Sequence, residues 1–92
     1  GAVPRVTVTA TIVNKLGLHA RPAMCFVDLA GTFGSAVTVR KDETEVDGKS
    51  IMEMMMLAAG KGSVLAITVD GDDAEKAAAR LKELVDGGFE EE

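Results

Sequence analysis

The sequence predicts an α/β (α+β) fold in which a four-stranded antiparallel sheet carries three helices on one face. Three observations carry that prediction. Stretches of alternating polarity interleave with stretches of helical period, in the order βαββαβα. The first and last helical stretches each have a single apolar stripe, as expected of helices laid on one face of a sheet. The 92 residues contain no internal repeat and no linker, so they form one domain, residues 1–92.

The elements follow in order. Val6, Val8, Ala10 and Ile12 alternate with Thr7, Thr9 and Thr11, a half-buried strand with its threonines on the wetter side. From Ala20 the period changes: Ala23, Phe26, Val27 and Ala30 lie on one face of a helix closed by Gly31. Residues 36–40 and 43–47 read as two short strands joined at Lys41-Asp42 in a hairpin. Residues 50–58 form a short helix that ends before Gly60-Lys61-Gly62. Residues 64–69 are apolar and β-branched enough for a central strand. Ala74, Ala77, Ala78, Leu81, Leu84 and Val85 line one face of the last helix, which stops at Gly87-Gly88. Residues 1–4 and 88–92 are expected to be flexible ends, the second a solvated acidic tail.

Composition narrows the setting. Hydrophobic residues make up 47% and charged residues 27%, a globular balance. A net charge of −5 argues against non-specific binding to nucleic acid or to an anionic membrane surface. Cys25 is the only cysteine, which excludes an internal disulfide and suits a reducing cytoplasm. No apolar run reaches the roughly 18 residues of a membrane span, and no secretory signal is visible. The first residue is Gly1 rather than Met, so Gly1-Ala2 reads either as a processing scar or as an artificial edge.

Two helices announce their starts. Ser50 with Glu53 fits a capping box, and Asp72 with Glu75 is its aspartate analogue. The first helix has no such cap. The chain's only histidine, His19, stands where a Ser or Asp would be expected, and Pro22 follows in the first turn, where its missing N–H is harmless. The first-turn amides are therefore left open, a ready seat for an anion. Arg21 supplies a guanidinium suited to gripping phosphate oxygens in pairs. A lone histidine is more often an idle surface residue. Metal binding lacks a second ligand, and a Ser or Cys nucleophile lacks its context: Cys25 falls within the helix.

Gly17-Leu18-His19-Ala20-Arg21-Pro22-Ala23 resembles the phosphorylation-site motif of the histidine-containing phosphocarrier (HPr) family of the phosphoenolpyruvate-dependent phosphotransferase system. Asp47-Gly48-Lys49-Ser50-Ile51-Met52 resembles that family's regulatory-serine segment. The resemblance spans about residues 5–86 and implies an open-faced β-sandwich. It implies that His19 accepts a phosphoryl group on Nδ1 from phosphorylated enzyme I and passes it to an enzyme IIA-type histidine. Arg21 would stabilise the phosphoryl group, Gly17 and Ala20 would support the site, and Pro22 would fix the helix start. No cofactor and no metal are implied. Such a protein is a stoichiometric carrier, classed with transferases and tied to sugar transport, rather than a stand-alone catalyst.

Ser50 has two compatible readings. As a cap it stabilises its helix by about 1 kcal/mol. The resemblance adds regulatory phosphorylation by an HPr kinase/phosphorylase. Along the same helix, Ile51, Met54, Leu57 and Ala58 form one apolar side, while Met52, Met55 and Met56 form a second. One side belongs to the core. Ile51, Met52 and Met55 are the expected partner-docking residues, and adaptable methionines suit a carrier with more than one partner. Transient docking makes a monomer the expected state.

Some segments point elsewhere in the family. Asn14-Lys15-Leu16-Gly17 and the acidic ending resemble nitrogen-branch phosphocarriers, and Asp28 and Glu53 make the helix faces more acidic than in sugar-branch carriers. The competing reading is a mainly regulatory protein-binding module of the same fold, acting through Ser50 and the methionine face. A small-ligand-binding domain with an incidental histidine leaves the missing cap and Arg21 unexplained.

Overall fold

The structure, a computed structural model, describes residues 4–91. The elements are β1 (Arg5–Thr11), α1 (Ala20–Gly31), β2 (Ala36–Lys41), β3 (Thr44–Asp47), α2 (Ile51–Met56), β4 (Val64–Asp70) and α3 (Ala74–Asp86), followed by a 3-10 turn at Gly88–Glu90. The four strands form one antiparallel sheet in the order β1-β4-β2-β3. Strand β4 is central, as its β-branched, apolar composition predicts: Ile67 lies between Val8 of β1 and Val39 of β2.

One face of the sheet is buried and the other is polar. Val37, Val39, Leu65, Ile67 and Val69 are 3% exposed or less, and Phe26 of α1, Met54 of α2 and Leu81 of α3 complete the core. The opposite face carries threonines, with Thr7 and Thr68 paired through their hydroxyls at 3.0 Å. Because side chains alternate across a strand, this one-sided burial fixes the register of each pairing.

Four local expectations need correction. The hairpin turns at Asp42-Glu43, one residue later than expected, and Asp42 adopts φ 54°. The left-handed region is better tolerated by aspartate than by lysine, which places the turn there. Helix α2 spans six residues rather than nine, and the backbone just beyond it turns left-handed at Ala58, φ 49°. Asp73, not Asp72, stands at the N-cap of α3, and it caps nothing. Its carboxylate instead accepts from the amides of Gly34 (3.0 Å) and Ser35 (3.1 Å) and from the Ser35 hydroxyl, tying α3 to the loop before β2. The Ser35 hydroxyl and the Gly34 amide hold this carboxyl below the usual carboxylate range.

The fourth correction concerns the tail. Gly88 and Phe89 are buried, Phe89 at 4% exposure, so the described part of the tail packs onto the domain. Phe89 (φ 57°) and Glu90 (φ 63°) are consecutive non-glycine residues in the left-handed region. That conformation costs roughly 1–2 kcal/mol per residue, of the same order as burying the Phe89 ring contributes. Residues 1–3 and 92, also expected to be flexible, lie outside the described residues.

Candidate functional site

The site is built from the loop between β1 and α1. Leaving the sheet, Ile12 stays tied to the segment before β4: its amide donates to Ser63 O at 2.9 Å, and its carbonyl accepts from Gly62 N at 2.7 Å. The chain then reverses at Gly17, φ 69°, whose amide donates to Asn14 O at 3.1 Å. A Cβ at Gly17 would lie 2.5 Å from Ala59 O and 2.8 Å from the Gly60 Cα. Both contacts are to backbone, so only glycine fits. Leu18 N donates to Ala59 O at 2.8 Å, and the next residue, His19, opens α1.

His19 is the N-cap residue, extended at φ −80° and ψ −171°, and no side chain caps the helix. Its carbonyl accepts from Ala23 N at 3.0 Å, the first bond of α1. The first-turn amides of Ala20 and Arg21 lie ahead of that bond, where an α-helix offers them no acceptor. Pro22 and Ala23 are buried and fix the first turn against the core. Arg21 is exposed in the same turn, and with Lys15 and His19 it lines one open cleft. The cleft combines a helix N-terminus with two cationic side chains, an imidazole and the carboxylates of Glu90 and Glu91. The open helix start and Arg21 can hold a compact anion beside the imidazole, against the opposing charge of the two glutamates.

The imidazole side chain is 37% exposed and, among the described residues, is engaged on one side only. His19 Nε2 lies 3.2 Å from each carboxylate oxygen of Glu91. Asn14, itself 3% exposed, donates one amide hydrogen to Gly17 O at 2.7 Å and the other to Glu91 Oε1 at 3.0 Å. Both amide hydrogens are thus used, while the buried Oδ1 of Asn14 has no partner among the described residues. Sequence reasoning assigned no role to Asn14 or Glu91. The available signal was Phe89, one of three phenylalanines in the chain and an unusual residue for a wholly solvated acidic tail.

The start of α2 has the opposite character. Ser50 Oγ accepts from Glu53 N at 3.2 Å, so the expected cap is made. The return arm differs from the simple capping box. Glu53 accepts from Asp47 N at 3.0 Å, while the amide of Ser50 donates to Asp47 O at 3.1 Å. Beyond the cap, Met54 is fully buried and Ile51 packs partly against the core. Met52 and Met56 are 77% and 70% exposed, and Met55 is 45% exposed.

The architecture defines a small one-sided sandwich with a histidine at an open helix start, a class built to present an imidazole to an anion. A family profile described as "PTS HPr component phosphorylation site" matches residues 6–86. The phosphocarrier protein HPr of Pseudomonas aeruginosa is 51% identical over 82 residues, 88% of this chain and 91% of that protein. HPr of Neisseria meningitidis is 49% identical over 80 residues, 87% and 90% of the two chains. The crystal structure of HPr-C-His from Thermoanaerobacter tengcongensis superposes with a TM-score of 0.90 at 45% identity, covering 95% of this chain and 98% of that one. The chain belongs to the HPr family of phosphocarrier proteins of the phosphotransferase system. Among the described residues, no helix is long and apolar enough to cross a membrane.

Proposed function

We propose that His19 carries the phosphoryl group, taking it from phosphorylated enzyme I and delivering it to a histidine of an enzyme IIA-type acceptor in the cytoplasm. The observation that supports this most is the uncapped start of α1, where His19 occupies the N-cap and Arg21 stands in the same cleft. The Nδ1 lone pair attacks the donor's phosphorus. The new N–P bond forms as the donor's N–P bond breaks, and the donor nitrogen keeps its electron pair. The first-turn amides and Arg21 then hold the phosphoryl oxygens. Gly17 lets the loop close against Ala59, which sets where His19 enters the helix. Ala20 and Pro22 fix the direction of the first turn.

Labelling tests this reading. Enzyme I and phosphoenolpyruvate should place one acid-labile, alkali-stable phosphate on the wild-type protein and none on His19→Ala. A folded wild-type protein that takes no label from sugar-branch or nitrogen-branch enzyme I would overturn it.

Docking, in this proposal, uses the exposed Met52 and Met55 of α2 together with the half-buried Ile51, on a helix that packs beside α1. Met52→Glu should slow phosphoryl transfer severalfold while changing stability by less than about 0.5 kcal/mol, because the side chain leaves no cavity. A large loss of stability would instead assign Met52 to the core. Ser50 is the proposed regulatory site, recognised by a kinase of the HPr kinase/phosphorylase type. A dianion there would face incoming phosphorylated partners and oppose their docking. The protein acts as a monomer that meets its partners one at a time.

A further inference from the structure

Glu91 reaches His19 from 72 residues away in the sequence, and its placement is strongly determined. The buried Phe89 ring anchors the tail, and two successive left-handed residues, Phe89 and Glu90, turn the chain back toward the cleft. Asn14, held in the loop by its bond to Gly17 O, then donates its second amide hydrogen to Glu91 Oε1. Left-handed backbone at bulky residues persists only where surrounding contacts over-determine it, and such strain concentrates at functional sites. Here the strain delivers a carboxylate to one nitrogen of the only histidine.

A carboxylate oxygen can only accept a hydrogen bond, so the ring nitrogen facing it carries the proton. We propose that Glu91, seated by Asn14, is a positioning residue: it holds His19 in the Nε2–H tautomer and leaves the lone pair on Nδ1. This rests on the carrier reading above and deepens it. As the N–P bond forms on Nδ1, positive charge develops on the ring and Nε2–H becomes a stronger donor. Glu91 accepts that stronger bond, as the buried aspartate does for the histidine of a catalytic triad. No proton has to leave the ring during transfer, because Nδ1 attacks with its lone pair and Nε2 keeps its hydrogen.

The test is ¹⁵N NMR of the imidazole in the unphosphorylated protein, followed by single-turnover phosphorylation. In Glu91→Ala the ratio of Nε2–H to Nδ1–H neutral tautomers should fall roughly fivefold, the loss of one ordinary hydrogen bond. Phosphoryl gain should slow severalfold with thermal stability unchanged. Glu91→Gln keeps an acceptor oxygen and should restore much of the tautomer ratio, a recovery that a merely packing role would not produce. Asn14→Ala should shift the ratio in the same direction as Glu91→Ala. An unchanged ratio in Glu91→Ala would overturn the proposal, as would a loss of stability with no change in ratio. The tautomer measurement needs no phosphoryl donor. A wild-type protein that shows the ratio but takes no phosphate would therefore count against the carrier reading and leave the positioning role standing.

Discussion

The starts of α1 and α2 lie on neighbouring helices and solve the same problem in opposite ways. At α2, Ser50 accepts from Glu53 N, so one first-turn amide is capped by a side chain, and Glu53 accepts from Asp47 N just before the helix. At α1 the N-cap position holds His19, whose imidazole turns to Glu91 instead of to the helix amides. The closed start gains stability from local sequence. The open start forgoes about 1 kcal/mol of capping and keeps donors available for a ligand. On the proposed reading, the fold gives up local stability at α1 for chemistry, a pattern expected at functional sites.

The largest effect on this comparison should come from the loop that places the open start. Gly17→Ala forces a Cβ into the backbone of Ala59 and Gly60 at a left-handed position. It should destabilise the protein by about 3 kcal/mol, read as a lowered denaturant midpoint. A change below 1 kcal/mol would mean that the loop is not held against Ala59 as described.

A smaller, reciprocal pair of substitutions tests the capping contrast itself. Ser50→Ala should cost about 1 kcal/mol and leave phosphoryl acceptance at His19 intact. His19→Ser should have the opposite sign. It adds a cap to α1 and stabilises by up to about 1 kcal/mol, less whatever the exposed pair with Glu91 contributes, while abolishing phosphoryl acceptance. If both variants lose stability equally, α1 is not an open start. Chemical denaturation of the two proteins side by side decides the matter.

Much of this was readable in the sequence because it is local. The Ser50–Glu53 cap and the uncapped His19 each follow from residues within a few positions of one another, whereas Gly17 is required by the backbone of Ala59 and Gly60, far along the chain. The central place of β4 follows from its own composition. What the sequence hid is non-local. The spacing makes Asp72 the expected cap of the last helix, but Asp73 stands at that position, and its partners Gly34 and Ser35 are 39 and 38 residues away. Glu91 looked like solvated acid, and only the packing of Phe89 brings it to a histidine 72 residues back. Charge and capping patterns describe what a residue can do nearby, and neither registers a partner delivered by the folded chain.

In the proposed transfer, the open start of α1 receives a phosphoryl group on the free nitrogen of His19. The most direct measurement is ¹⁵N–³¹P NMR of the protein labelled in its imidazole nitrogens and phosphorylated through enzyme I. One phosphorus should couple to Nδ1 of His19, with Nε2 still protonated toward Glu91. Phosphorus bonded to Nε2, or to any residue other than His19, would contradict it.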